Sequence, residues 1–421
     1  MSWLVPRNVL TPDQIRAIEI DPGEHCAILG GPGSGKTQVL LHRARHLADR
    51  FHVDGGRYRI FVYTNALKDY IRSALSLLNL PDDAVLTFDH WCRLYYEEHV
   101  NPRLPWNAAT RQPDFAAIRR AVMGRFPKGY AGAPLYDFVL VDEGQDLEGE
   151  VFDFLARIAR HVTVCIDNKQ QIYDQGASEA EILSRLGLRR RNINLIEAFR
   201  VCPYLVEVAA PLVPDAAERE AFRQQRRTVQ TERQTPLVYV ARNFEDEKRM
   251  LHQVVRERQL MNDRIAILLP QNRQVFGFAE GLTAAGIEVE VPASHGSQGK
   301  LPAYDFNSSR PKLMSFHGAK GLTFDSVLMP RLVTNSFWRI KPERIERLVF
   351  VALTRATKWA YFSTNTDGRL ALFDKLLPLE KTRQLTVRRG DQASSAGQAP
   401  PVIHPPGGDW PPAKPEDLDF L

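Results

Sequence analysis

Gly30-Gly31-Pro32-Gly33-Ser34-Gly35-Lys36-Thr37 fits the pattern G-x-x-x-x-G-K-T. A short apolar run, Cys26-Ala27-Ile28-Leu29, precedes it, and a good helix-forming run, Gln38-Val39-Leu40-Leu41-His42-Arg43-Ala44, follows. Strand, loop and helix in that order are the context a phosphate-binding loop requires. Its glycines let the backbone wrap closely around phosphates, and the new helix aims its free N–H groups at them. Lys36 is placed to reach β- and γ-phosphates, and Thr37 to hold Mg²⁺.

Outward from the loop, apolar strands alternate with helical stretches. Residues 60–63, 138–141 and 162–166 read as strands of a first series. A second series starts near Ile193 and includes residues 237–240, 265–269, 312–315, 326–329 and 359–363. Such alternation predicts α/β domains with doubly wound parallel sheets. The expected division is a first domain over 1–190 with a small insertion at about 96–135, then a second over 191–388. Residues 389–421 are rich in Pro, Gly, Ser and Ala and are expected to be a disordered tail. The tail's acidic, partly aromatic tip, Glu416-Asp417-Leu418-Asp419-Phe420-Leu421, suits a docking peptide for a protein partner as well as it suits an inert end.

The chain has 421 residues, 44% hydrophobic and 25% charged, which is enough for two sizeable cores. No apolar run approaches the length of a membrane span, and Met1-Ser2-Trp3-Leu4-Val5-Pro6-Arg7 does not read as a secretory leader, so a cytoplasmic location is expected. The four cysteines, Cys26, Cys92, Cys165 and Cys202, lie far apart, which argues against zinc or iron–sulfur sites. A net charge of +5 is compatible with nucleic acid without demanding it.

Tyr136-Asp137-Phe138-Val139-Leu140-Val141-Asp142-Glu143-Gly144-Gln145-Asp146 supplies the second half of a nucleotide site. An apolar strand ends in two carboxylates. Asp142 is placed to hold Mg²⁺, and Glu143 to orient and deprotonate an attacking water.

Asp-Glu-x-Gln-Asp resembles the signature of superfamily 1 helicases of the UvrD, Rep and PcrA type, and that family's motifs recur in order along the chain. Leu10-Thr11-Pro12-Asp13-Gln14 resembles the glutamine motif, which implies that Gln14 reads adenine. Tyr63-Thr64-Asn65, and Thr87-Phe88-Asp89-His90-Trp91 with an altered spacing before His90, resemble motifs that touch the single strand. Asp167-Asn168-Lys169-Gln170-Gln171-Ile172-Tyr173 resembles the motif in which Gln170 would sense the γ-phosphate and Tyr173 would lie on the strand. Ala198-Phe199-Arg200 implies base stacking by Phe199 and a γ-phosphate contact by Arg200. Phe316-His317-Gly318-Ala319-Lys320-Gly321-Leu322-Thr323 implies a strand contact at His317 and nucleotide contacts at Gly321 and Thr323. Val351-Ala352-Leu353-Thr354-Arg355-Ala356 implies an internal arginine finger, Arg355. The resemblance thus implies two tandem RecA-like P-loop NTPase domains, ATP and Mg²⁺ in the cleft between them, and translocation on single-stranded DNA from 3′ to 5′, with RNA left open.

Three departures stand out. The large accessory insertions of the family are missing or reduced. Gln175 stands where the family usually has an aromatic residue that stacks on a base. Thr323 replaces a glutamate that usually contacts the nucleotide sugar. These departures keep a second reading open: an ATPase subunit or switch of a larger complex, of the kind that accompanies a nuclease in bacterial antiviral systems. Deleting residues 390–421 is expected to spare ATP hydrolysis and to weaken any partner complex, as checked by turnover assays and co-purification; loss of the fold would contradict the disordered-tail expectation.

Overall fold

A computed structural model describes residues 3–31, 33–108, 112–127, 129–130, 132–167, 176–190, 192–195, 202–224, 234–292, 304–338, 340–366 and 368–390. The first group of strands comprises β1 (Cys26–Gly30), β2 (Tyr58–Val62), β3 (Val85–Thr87), the small hairpin β4 (Trp106–Asn107) and β5 (Gln112–Pro113), β6 (Tyr136–Val141), β7 (Ala159–Ile166) and β8 (Ile193–Leu195). The second comprises β9 (Leu237–Ala241), β10 (Ile265–Leu269), β11 (Lys312–Ser315), β12 (Phe324–Met329), β13 (Ala356–Asn365) and β14 (Thr386–Arg389).

Two six-stranded sheets result, ordered β3-β2-β6-β7-β1-β8 and β11-β10-β12-β13-β9-β14, with every adjacent pair parallel. Numbered in chain order without the hairpin, both sheets have the order 3-2-4-5-1-6, so the two halves share one topology. Every residue of β1, β6 and β10 is buried, as expected of strands covered by helices on both faces.

The strand beginning at Ile193 does not open the second series. It pairs with β1 in the register Ile28↔Ile193, extending the first sheet past residue 190. By Cys202 the chain lies on the second sheet, where its N–H donates to the Thr357 carbonyl at 2.8 Å. At the far end β14 carries the second sheet through Arg389, and residues 391–421, nearly all of the expected tail, lie outside the described residues. The insertion expected at 96–135 holds the end of one helix (Phe88–His99), the hairpin β4–β5 and a second helix (Phe115–Gly124).

Each sheet has its own apolar cluster on its outer face, while one continuous cluster joins the two inner faces. The helix Asn65–Leu75 sits at that junction. Its Tyr70 ring meets Phe306 edge-on at 5.1 Å and stacks on Trp3 at 3.9 Å. One turn earlier, Leu67 lies against Gly321 of the second half. Gly321 has φ +78°, and a Cβ there would come within 2.8 Å of the Leu67 side chain. Gly187, at φ +69°, faces open space. Gly321→Ala is therefore expected to lose more stability than Gly187→Ala, in total about 1–3 kcal/mol, measured by chemical denaturation.

Candidate active site

The helices α1 (Pro12–Glu19) and α2 (Lys36–Phe51) flank the phosphate loop. The loop turns through Gly33 at φ +76° and Gly35 at φ +83° before α2 begins at Lys36. The Lys36 ammonium donates to the carbonyls of Gly30 at 2.8 Å and Gly31 at 3.1 Å, and to Asp167 Oδ2 at 2.9 Å. It is thus held over the loop by groups that a phosphate oxygen can replace. The Ser34 hydroxyl is buried in the loop and has no hydrogen-bond partner among the described residues.

Gln14 lies beneath the loop and is 3% exposed. Its Oε1 accepts from Thr11 N at 3.0 Å, closing the capping box of α1, and its Nε2 donates to the Ser34 carbonyl at 3.1 Å. Both ends of its amide are therefore engaged within the protein.

β6 delivers the two carboxylates. Thr37 Oγ1 donates to Asp142 Oδ2 at 2.8 Å, bringing together two oxygens of the type Mg²⁺ prefers. Burial and the neighbouring Glu143 charge push the Asp142 carboxyl up to about 6, against the Thr37 hydrogen bond. A divalent cation would relieve that strain, so the donor set fits Mg²⁺ shared with phosphates. Among the described residues no cluster of three or more His, Cys, Asp or Glu could hold a metal by itself.

Glu143 takes a left-handed backbone, φ 54°, which costs a non-glycine residue about 1 kcal/mol. Gln145 Nε2 donates to Glu143 Oε2 at 2.5 Å, while Gln145 Oε1 accepts from Asp167 N at 2.9 Å. Burial opposes ionisation of Glu143, but Lys36, Lys320 and Arg355 outweigh it and hold the carboxyl below its ordinary value. Burial likewise works against the Lys36 ammonium, and Asp167 and Glu143 raise it nonetheless.

The second half reaches this cluster twice. Lys320 Nζ donates to Asp146 Oδ1 at 2.6 Å, an ion pair with side chains 1% and 0% exposed. Arg355 is 5% exposed, and its guanidinium donates to the carbonyls of Val351 at 3.2 Å and Leu322 at 3.4 Å and to Thr354 Oγ1 at 3.2 Å. Burial lowers its pKa, with Glu143 and Asp167 pulling the other way.

Five of the residues expected on the single strand, Tyr63, Thr64, Asn65, Thr87 and His90, lie at or just beyond the carboxyl ends of β2 and β3, where Val62 pairs with Thr87. Asn65 is exposed, and Tyr63, Thr64, Thr87 and His90 are half-buried. Thr64 and Thr87 also cap helices, accepting from Leu67 N at 3.1 Å and His90 N at 3.2 Å. Burial, then Lys68, Arg93 and Arg72, lower the His90 pKa, with Glu97 pulling the other way. Trp91 is a core residue, 4% exposed, with its indole N–H donating to the Tyr136 hydroxyl at 2.7 Å. His317 lies beyond β11, half-buried and lowered by burial and by Lys320. Thr323 is half-buried, and Gly321 packs on Leu67. Pro32, Gln170, Tyr173, Phe199 and Arg200 lie outside the described residues.

Lys320, Asp146, Asp167 and Gln145 belong to this cluster although motif reading gave none of them a role. The available signal was polar residues placed directly after buried strands or inside an otherwise apolar motif. Burial pushes the Asp146 carboxyl up to about 7, against the pull of Lys320. A folded value above the ordinary carboxylate range means the ionised Asp146 weighs against the fold as pH rises from about 4 through about 7. Lys320 limits that penalty above pH 7, whereas at pH 5 Asp146 is protonated and the pull of Lys320 on the ionised Glu143 remains. Lys320→Met is accordingly expected to destabilise by about 3–5 kcal/mol above pH 7 and by less at pH 5, measured by denaturation at both pH values.

Residues 10–123 match the family model described as UvrD/REP helicase N-terminal domain, and residues 298–367 match that of the UvrD-like helicase C-terminal domain. No curated protein matches the chain in sequence. Among solved structures, the chain is similar to the C-terminal domain of a possible DNA helicase from Lactobacillus plantarum WCFS1. That likeness has 16% identity and a TM-score of 0.33, over 45% of this chain and 98% of that one, and is too loose to argue from.

Proposed function

Because the chain belongs to the UvrD/Rep helicases, matching that family in both halves, we propose that it hydrolyses ATP in the cleft between its two sheets and uses the cycle to move on single-stranded nucleic acid. DNA is the proposed track and 3′ to 5′ the proposed direction. The observation that carries the reading is Glu143, a buried carboxylate held ionised by Lys36 from its own half and by Lys320 and Arg355 from the other.

In this reading Lys36 exchanges the Gly30 and Gly31 carbonyls for phosphate oxygens. Glu143 accepts the proton of the attacking water, with Gln145 fixing its carboxylate. Thr37 and Asp142 would hold Mg²⁺, which neutralises phosphate charge when bound. Arg355 exchanges its carbonyl partners for the charge that develops on the transferred phosphoryl group. Loss of that charge after hydrolysis removes a tie between the halves, and so converts chemistry into relative motion. The proposed boundary between the halves falls between residues 195 and 202, where the chain passes from the first sheet to the second.

The second reading, a partner-gated ATPase subunit, draws on the reduced insertion. Val100, Trp106 and Tyr130 are exposed there, Trp106 by 63%. Glu143→Gln separates binding from chemistry. ATP affinity is expected to stay within about threefold of wild type while turnover falls at least about 100-fold, measured by analogue binding and phosphate release. Undiminished turnover would remove Glu143 from the base role.

A further inference from the structure

Arg43 lies two turns into α2 and is 0% exposed, yet among the described residues it forms no ion pair with a carboxylate. Its guanidinium is spent on neutral acceptors. Nη1 donates to the carbonyls of Ala17 at 3.3 Å, Ile18 at 2.8 Å and Ile20 at 2.9 Å, and Nε donates to Thr163 Oγ1 at 2.9 Å. Nη2 lies 3.1 Å from His161 Nε2, which therefore accepts. The three carbonyls include those left without helical partners at the carboxyl end of α1. One side chain thus ties α1, α2 and β7 together at the end of α1 away from the loop.

The other end of α1 carries Gln14. This short helix, about 12 Å long, is a rigid lever between two fixed points. At the loop the fit is tight, since a Cβ on Gly35 would come within 2.3 Å of Gln14 Nε2. A small tilt of α1 would either push on the loop or withdraw the bond to the Ser34 carbonyl.

We propose that Arg43 is a positioning residue for nucleotide binding, setting the tilt of α1 so that Gln14 braces the phosphate loop in its ligand-ready shape. A buried cation without a carboxylate is costly, and a hydrophobic residue of similar volume would fill the space with less penalty. What that residue would lack is the planar fork that grips the end of α1, Thr163 and His161 together, and lysine, a single point donor, would lack it too. The inference rests on the nucleotide-site reading given under Proposed function.

The test is ATP turnover and analogue affinity of the full chain carrying Arg43→Lys or Arg43→Gln, each alone and with Gln14→Ala. Arg43→Lys is expected to raise the ATP KM about tenfold with kcat changed by less than about twofold, as for loss of one charge-assisted alignment. In the Gln14→Ala background the same change is expected to shift KM by less than about twofold, because the brace is already gone. A lowered melting temperature with unchanged KM, or a full additional effect in the Gln14→Ala background, would overturn the proposal. If neither Arg43 variant folds, hydrogen exchange on the wild type decides: nucleotide must slow exchange in the last turn of α1, and unchanged exchange there overturns the proposal. A wild-type chain that binds no ATP would instead defeat the nucleotide-site reading itself.

Discussion

Four carboxylates, Asp142, Glu143, Asp146 and Asp167, are buried at or just beyond the carboxyl ends of β6 and β7. Among the described residues three buried cations, Lys36, Lys320 and Arg355, stand against them, and two of those come from the other half of the chain. Charge in such a place is tolerated only when it is paired. The imbalance shows in Asp142 and Asp146, whose carboxyls burial drives up to about 6 and about 7. It also binds the two halves to each other, because drawing them apart would strip Asp146 of Lys320. Any ligand that enters the cleft must enter this balance, and a triphosphate with its divalent cation changes it at every step of its breakdown.

The rest of the fold places these charges. Parallel strands bring their carboxyl ends to one edge, so residues far apart in the chain, such as Lys36, Asp142 and Asp167, meet there. The shared strand order of the two sheets puts a similar scaffold on each side of the cleft. Leu67 against Gly321 and Tyr70 against Phe306 hold the inner faces close enough for Lys320 to reach across. The helix that makes these contacts starts at Asn65, beside the residues proposed to meet the single strand. A strand that moved Asn65 would therefore press on the junction of the halves.

Much of this was legible in the sequence. The phosphate loop and the β6 carboxylates announce themselves by pattern, and the central strands by continuous apolar runs. Strands β3, β8 and β14 were not legible. They lie toward the sheet edges, are three or four residues long and carry polar side chains, as in Thr386-Val387-Arg388-Arg389, so no hydrophobic run marks them. The passage between sheets was misplaced for the same reason, since Ile193-Asn194-Leu195 pairs backward to β1 through its backbone. Within the site, spacing singled out Lys36 and Glu143 as candidates but could not show what each side chain touches. That Gln14 spends its amide on Ser34 and Thr11, or that Lys320 reaches Asp146, depends on three-dimensional placement.

The most direct test of a cleft whose charge balance couples nucleotide to strand is steady-state ATP hydrolysis by the full chain, alone and titrated with single-stranded DNA, single-stranded RNA or duplex. The account predicts saturable stimulation by single-stranded DNA, with duplex far weaker. Turnover indifferent to every nucleic acid would contradict it.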